Sequence, residues 1–199
     1  MQTRFKSIAQ PFEGPQLKFK GSKFIGRAFP FHSEEEAMAC LKRIRQEEPK
    51  ANHHCFAYRL GPDGSSFRFS DDGEPSSTAG KPILGQLQAF DLVNVLLVVT
   101  RYFGGTKLGT GGLIQAYRES AKACLEQADR IEVELTQILE LTFDYSLMNE
   151  VMRLLKTMQL QVLESQSGMR AVLKVSVPLA KLGDFRSRVS LIRGVSVKL

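Results

Sequence analysis

The sequence has no tryptophan and, among its 199 residues, only three cysteines and three histidines. Cys40, Cys55 and Cys124 lie 15 and 69 positions apart, so there is neither a C-x-x-C pair nor the even, closely spaced set of a disulfide framework. No window approaches the ~20 uninterrupted apolar residues of a membrane span, and the Val95–Val99 run is a buried strand by its length. Met1-Gln-Thr-Arg-Phe-Lys6 lacks the apolar stretch of a secretory signal. A soluble protein of a reducing cytoplasm, with no membrane partner, is expected. A G-x-S-x-G nucleophile elbow and a D-x-D-x-D-G calcium loop are both missing, so no catalytic nucleophile, metal or cofactor is assigned.

Hydrophobic residues make up 43% and charged residues 24% of the chain, the balance of a folded globular protein. Twenty-seven basic against 21 acidic residues give a net charge of +6. The excess is shared as +4 over residues 1–130 and +2 over 131–199, so neither part is a basic tail. Such a surplus favours polyanionic partners.

The pattern predicts an α+β protein of two domains, 1–130 and 131–199, with the polar stretch Gln127–Glu134 as an exposed connection. In the first domain, Phe19–Phe31 reads as a strand pair around Gly21 and Gly26. Ser33 and Glu36 form a capping box ahead of a helix that Pro49 ends. His53–Leu60 and Ser66–Ser70 flank a Gly-Pro-Asp-Gly turn. Ile83, Leu87 and Phe90 mark a short helix capped by Ser77 or Thr78. Val93–Val99 is a central strand covered on both faces, and a helix runs from Leu113 to about Gln127. The second domain reads as βαββαβ: alternation over Leu139–Tyr145, a helix through Met158, a hairpin across Ser167-Gly168, a helix started by Pro178 and a last strand at Val195–Leu199. That order is the ferredoxin-like split unit.

Three features can carry chemistry. His53 and Cys55 share a strand face, which is half a metal site or simply a packed pair. Asp71, Asp72 and Glu74 lie on a long polar loop with Thr78 and Lys81; oxygen ligation of magnesium and plain turn chemistry are the two readings. The third is Arg101-Tyr-Phe-Gly-Gly-Thr-Lys-Leu-Gly-Thr-Gly-Gly112, with five glycines in nine positions from Gly104 to Gly112, between a strand and a helix. Exposed backbone N–H groups of Gly104, Gly105, Gly109, Gly111 and Gly112, with Arg101, Lys107 and Arg118, can hold an anion at a helix N-terminus, and Tyr102 and Phe103 can stack bases. The P-loop lysine and the third glycine of the dinucleotide fingerprint are missing. If the two preceding strands run parallel, both loops emerge at one end of the sheet, and Asp72, Glu74, Thr78, Arg101, Gly105, Lys107 and Gly109 converge on one cleft.

Ser70-Asp-Asp-Gly-Glu-Pro-Ser-Ser-Thr-Ala-Gly-Lys-Pro82 and Val99-Thr-Arg-Tyr-Phe-Gly-Gly-Thr-Lys-Leu-Gly-Thr-Gly-Gly-Leu-Ile-Gln-Ala-Tyr117, preceded by His53-His-Cys-Phe-Ala-Tyr58, resemble the paired motifs of the YigZ/IMPACT family. The resemblance implies an N-terminal domain like the second domain of small-subunit ribosomal protein five and a ferredoxin-like C-terminal domain similar to the fifth domain of elongation factor G. It also implies a ribosomal or RNA partner. Eukaryotic members regulate translation during amino-acid starvation by competing for an activator of an initiation-factor kinase, through proteins with an additional N-terminal domain. The present sequence starts at the shared domain, a layout that resembles the bacterial branch. The function expected is that of a non-enzymatic RNA- or ribosome-binding modulator of translation. The alternative is an enzyme or sensor for a phosphorylated small molecule, because similar N-terminal folds house small-molecule kinases.

Overall fold

A computed structural model describes residues 2–199. The chain is mixed α and β and divides into two compact units, Arg4–Val133 and Glu134–Leu199. Among the described residues no helix is long and apolar enough to cross a membrane.

The first unit is built on a five-stranded sheet of β2 (Phe12–Phe19), β3 (Ser22–Pro30), β4 (His53–Leu60), β5 (Ser66–Ser70) and β6 (Val95–Tyr102), in the order β2-β3-β6-β4-β5. Central β6 is buried from Val95 through Arg101, as a β-branched and leucine run covered on both faces should be. Alternation divides its residues between two layers. Leu96 and Val98 join Phe56 and Tyr58 beneath α1 (Glu34–Glu47), while Val95, Leu97 and Val99 join Phe24, Cys55 and Ala57 beneath α2 (Gly80–Ala89) and α3 (Gly109–Gln127). The close seat of α3 depends on two residues without side chains. A Cβ on Gly14 would lie 2.8 Å from the Cys124 Cα, and one on Gly26 would lie 2.8 Å from the Ser120 carbonyl oxygen.

Before Phe19 the sequence has no periodic signal, yet it forms β1 (Arg4–Ile8) and most of β2. Pro15 in β2 falls where the register with β3 shifts, on an edge strand that can do without one donor. β1 pairs with β7 (Arg130–Glu134) in a separate two-stranded sheet. The Ala9 N–H donates to the Asp129 carbonyl at 2.9 Å, and Arg4 faces Glu132 at 3.6 Å. The stretch expected as an exposed connection is thus the end of α3 followed by a strand. Its polar residues are the solvent side of a hydrogen-bonded ribbon, which composition alone does not distinguish from a linker.

The second unit has β8 (Thr136–Phe143), α4 (Met148–Thr157), β9 (Gln161–Ser167), β10 (Ala171–Pro178), α5 (Leu182–Val189) and β11 (Ser196–Lys198). All pairings are antiparallel in the order β11-β8-β10-β9, the ferredoxin-like arrangement. Leu139, Leu141, Phe143, Leu173, Val175 and Val177 form one face of this sheet. They pack with Val151, Leu155, Phe185 and Val189 of the two helices.

Candidate functional site

β4 pairs antiparallel with both β5 and β6, so β5 and β6 run in the same direction. The loops that follow them, 71–79 and 103–108, therefore leave the same end of the sheet. The start of β4 lies there too, with His53 opposite Arg101 in register. These segments enclose a cleft of about 420 Å³ lined by His53, Glu74, Pro75, Arg101, Phe103, Lys107, Leu108, Gly109, Thr110 and Leu113.

The floor of the cleft is a buried ion pair. Arg101 Nη1 donates to Glu74 Oε1 at 2.6 Å, with side-chain exposures of 6% and 4%, so water does not screen the contact. The Tyr117 hydroxyl donates to the same carboxylate oxygen at 2.7 Å, and Cys55 Sγ lies 3.3 Å from that hydroxyl. Burial pushes both Tyr117 and Cys55 well above their ordinary pKa values, with their mutual contact and the Glu74 charge acting on Tyr117 in the same sense. Both stay protonated, so Tyr117 is a fixed donor and Cys55 is no nucleophile. Arg101 Nη2 also reaches Ser22 Oγ at 3.3 Å, while its buried Nε–H has no acceptor.

His53 is held from behind. Its Nδ1 lies 2.9 Å from the Asp72 carbonyl, which can only accept, so the proton of the neutral ring sits on Nδ1 and Nε2 is turned to Glu74 Oε1, 3.8 Å away. Its pairing with Cys55 on one strand face was visible in the i, i+2 spacing. Its meeting with Glu74 depends on the loop. Among the described residues no three His, Cys, Asp or Glu side chains gather closely enough to hold a metal ion.

The rim is basic and aromatic. Phe103 is 46% exposed and lies with its ring centroid 5.5 Å from the Arg101 guanidinium carbon. Lys107 is exposed and makes no ion pair among the described residues. Behind them α3 begins at Gly109 rather than Leu113, so Gly109, Gly111 and Gly112 form its first turn. Leu108 at the N-cap offers no side-chain acceptor and the first turn has no acidic residue. Gly109 and Thr110 of that turn line the cleft, which brings the positive end of the helix to its edge. In α1 the same need is met internally, by Ser33 Oγ accepting from the Glu36 N–H and three glutamates in the first turn.

Of the remaining residues singled out in the sequence, most serve the scaffold. Asp71 accepts from the N–H groups of Ser77, Ala79 and Gly80, each at 2.9 Å, and so caps α2 from a distance. Ser77 or Thr78 was expected in that role; Thr78 Oγ1 instead donates to the Pro75 carbonyl. Asp72 is spent on Arg45 at 2.6 Å and on the His54 N–H at 2.7 Å. Positive φ at Asp72, Gly73 and Ser77 turns the loop so that only Glu74 of the three carboxylates lines the cleft. The oxygen cluster a magnesium site would need is dispersed. Tyr102 points to the opposite layer, where its hydroxyl bonds Glu48. Gly104 is a backbone crossing, since a Cβ there would lie 1.9 Å from the carbonyl carbon of Gly21. Gly105 has φ +86° with open space around it, and Gly111 is equally open. Gly112 faces Leu108, and Lys81 and Arg118 are exposed on α2 and α3 without lining the cleft.

Known proteins resemble this chain in sequence and in fold. A Haemophilus influenzae protein described as an IMPACT family member is 39% identical over 166 residues, 80% of this chain and 79% of its own. Escherichia coli YigZ, of the same family, is 36% identical over 176 residues, 87% and 86% of the two chains. A crystal structure of a protein described as hypothetical superposes with a TM-score of 0.75 at 32% identity, covering 99% of this chain and 97% of that one. Residues 20–125 match the family described as the Impact N-terminal domain, a span holding every residue that lines the cleft, and with the two near full-length relatives this makes the chain a member of the IMPACT family.

Proposed function

We propose that the chain is a non-enzymatic RNA- or ribosome-binding protein of the cytoplasm that modulates translation, and that the cleft before α3 is where it holds RNA. The observation that carries this is the exposed Phe103 beside Lys107, Arg101 and a helix N-terminus that no side chain caps. Phosphate oxygens suit N–H donors at a positive helix end, and a neighbouring aromatic ring offers a stacking surface indifferent to base identity. Family membership and the net charge of +6 support the same reading. The buried partner of Arg101 already neutralises it, which leaves Lys107 and the helix as the attracting charges.

The test is binding of a labelled single-stranded RNA across a salt series. The logarithm of affinity should fall linearly with the logarithm of salt concentration, as released counterions dictate. Lys107→Ala should reduce that slope by about one with little change in sequence preference. Absence of binding at low salt overturns the proposal.

A further inference from the structure

Three lysines of the β2–β3 hairpin occupy positions that disfavour them. Lys18 and Lys23 are direct partners in the antiparallel register, so their side chains leave the same face at neighbouring positions. Like charges placed directly opposite destabilise a strand pair. The turn between the strands is Lys20-Gly21, with φ of +44° and +84°. Positive φ at both central residues is the geometry for which tight hairpins favour Asn-Gly, so Lys20 is held in a conformation that a residue with a Cβ resists.

The hairpin is fastened to the loop beside the cleft. A Cβ on Gly21 would lie 2.9 Å from the Gly104 carbonyl oxygen, and the Gly104 N–H donates to Ser22 Oγ at 3.2 Å. The Phe103 N–H donates to Asn52 Oδ1 at 2.7 Å, which brings exposed Lys50 to the same end of the sheet. The carboxylates of the neighbouring segments are already engaged. Asp71 caps α2, Asp72 meets Arg45, Glu74 meets Arg101, Glu47 meets Arg43, and Glu48 is shared by Arg27 and Tyr102. Lys18, Lys20, Lys23, Lys50 and Lys107 are all exposed, and none has an ion pair among the described residues. Cations gathered without counter-charge attract a polyanion.

We infer that the β2–β3 hairpin is a second contact surface, a basic track that carries the sugar-phosphate backbone of a single-stranded RNA away from the cleft, across Lys20 and on to Lys18 and Lys23. The inference rests on reading the cleft as the RNA contact and extends the contact beyond the residues that line the cleft. Ammonium groups on flexible stems act as point charges toward phosphates, and such contacts hold a backbone in place without reading its sequence. Phosphates lying along the hairpin screen Lys18 from Lys23, so the repulsion present in the free protein is relieved on binding.

The experiment measures binding of a labelled oligouridylate of about ten nucleotides to the full chain, from ~50 to ~200 mM salt. Each phosphate contact on a single strand contributes about 0.7 to the slope of log affinity against log salt. The triple variant Lys18→Gln/Lys20→Asn/Lys23→Gln should therefore flatten the slope by about two, so that its affinity falls roughly 18-fold less than the parent's over that range. The same variant should melt higher than the parent, because it removes the opposed charges and gives the turn the Asn-Gly pair that suits its geometry. A gain in stability joined to a loss of salt-dependent affinity is the signature of residues kept for binding. A parent-like slope in the triple variant, with Lys107→Ala still reducing it, overturns this inference and leaves the cleft reading intact. Absence of binding by the parent even at the lowest salt overturns both. Binding of poly-L-glutamate by the parent in place of the RNA, lost in the triple variant, assigns the hairpin to an acidic protein segment and overturns the RNA track.

Discussion

Replacing Arg101 with methionine removes the cation from an ion pair whose side chains are 6% and 4% exposed. Glu74, its side chain only 4% exposed, is then left with a single hydrogen-bond donor, the Tyr117 hydroxyl. Breaking a buried pair from one side typically costs about 3–5 kcal/mol, because an uncompensated charge remains. At ~2–4 °C per kcal/mol for chains of this size, the melting temperature of the first unit should fall by about 6–20 °C. Glu74→Met strands the guanidinium instead and should cost a similar amount. The double variant Arg101→Met/Glu74→Met buries no charge, and loses chiefly the hydrogen bonds of Tyr117 and Ser22, about 1 kcal/mol each. It should therefore be more stable than either single variant, with a coupling energy of about 4 kcal/mol or more in the double-mutant cycle, two losses of at least ~3 kcal/mol against ~2 for the pair. Urea titration followed by far-ultraviolet circular dichroism measures it, as the chain has no tryptophan to report by fluorescence. Additive losses, with coupling below about 0.5 kcal/mol, would refute the claim that these groups are stable only as a pair.

Burial, reinforced by Arg45 and partly offset by Asp72, holds His54 below its ordinary 6.5. The unfolded chain takes up that proton first, so stability present above pH 6.5 is lost as the pH falls; His54→Gln should show a shallower loss between pH 6.5 and 5, and parallel curves would count against a desolvated ring. Burial pushes the Cys124 thiol up to about 12 and Cys55 higher still, while Cys40 is partly exposed. Iodoacetamide at pH 8 should label Cys40 alone until the protein unfolds, and mass spectrometry showing early labelling of Cys124 would contradict the packing described. Gly104→Ala forces a methyl group into the backbone of Gly21 and should cost about 3 kcal/mol or more. Gly105→Ala, strained only by its positive φ, should cost about 1–2 kcal/mol; equal melting temperatures would show that the loop moves aside.

The parts of this molecule legible in the sequence are those whose signal is local. The Val95–Val99 run could only be a strand covered on both faces, and the Ser33–Glu36 spacing announces α1, whose Ser33 Oγ does accept from the Glu36 N–H. The pairing of β1 with residues 130–134 has no local signature, because each strand is five residues long and its partner lies far along the chain. In the site, the glycine-rich loop was evident from composition, but its first helical turn was hidden by the low helix propensity of Gly109, Gly111 and Gly112. The three carboxylates at 71, 72 and 74 are indistinguishable by type. Backbone turns at Asp72 and Gly73 assign one to a helix end, one to Arg45 and one to the cleft, a division set by partners 20 or more residues away for Asp72 and Glu74.

The ribbon of β1 and β7 also orders the making of the protein. The β1 strand, Arg4–Ile8, leaves the ribosome well before its sheet partner Arg130–Glu134, more than a hundred residues later in the chain. Until that segment emerges, β1 has an unpaired edge, open to whatever strand it meets. The first unit can then collapse around β6 and its helices but cannot close, and it completes its chain only at the point where the second unit begins.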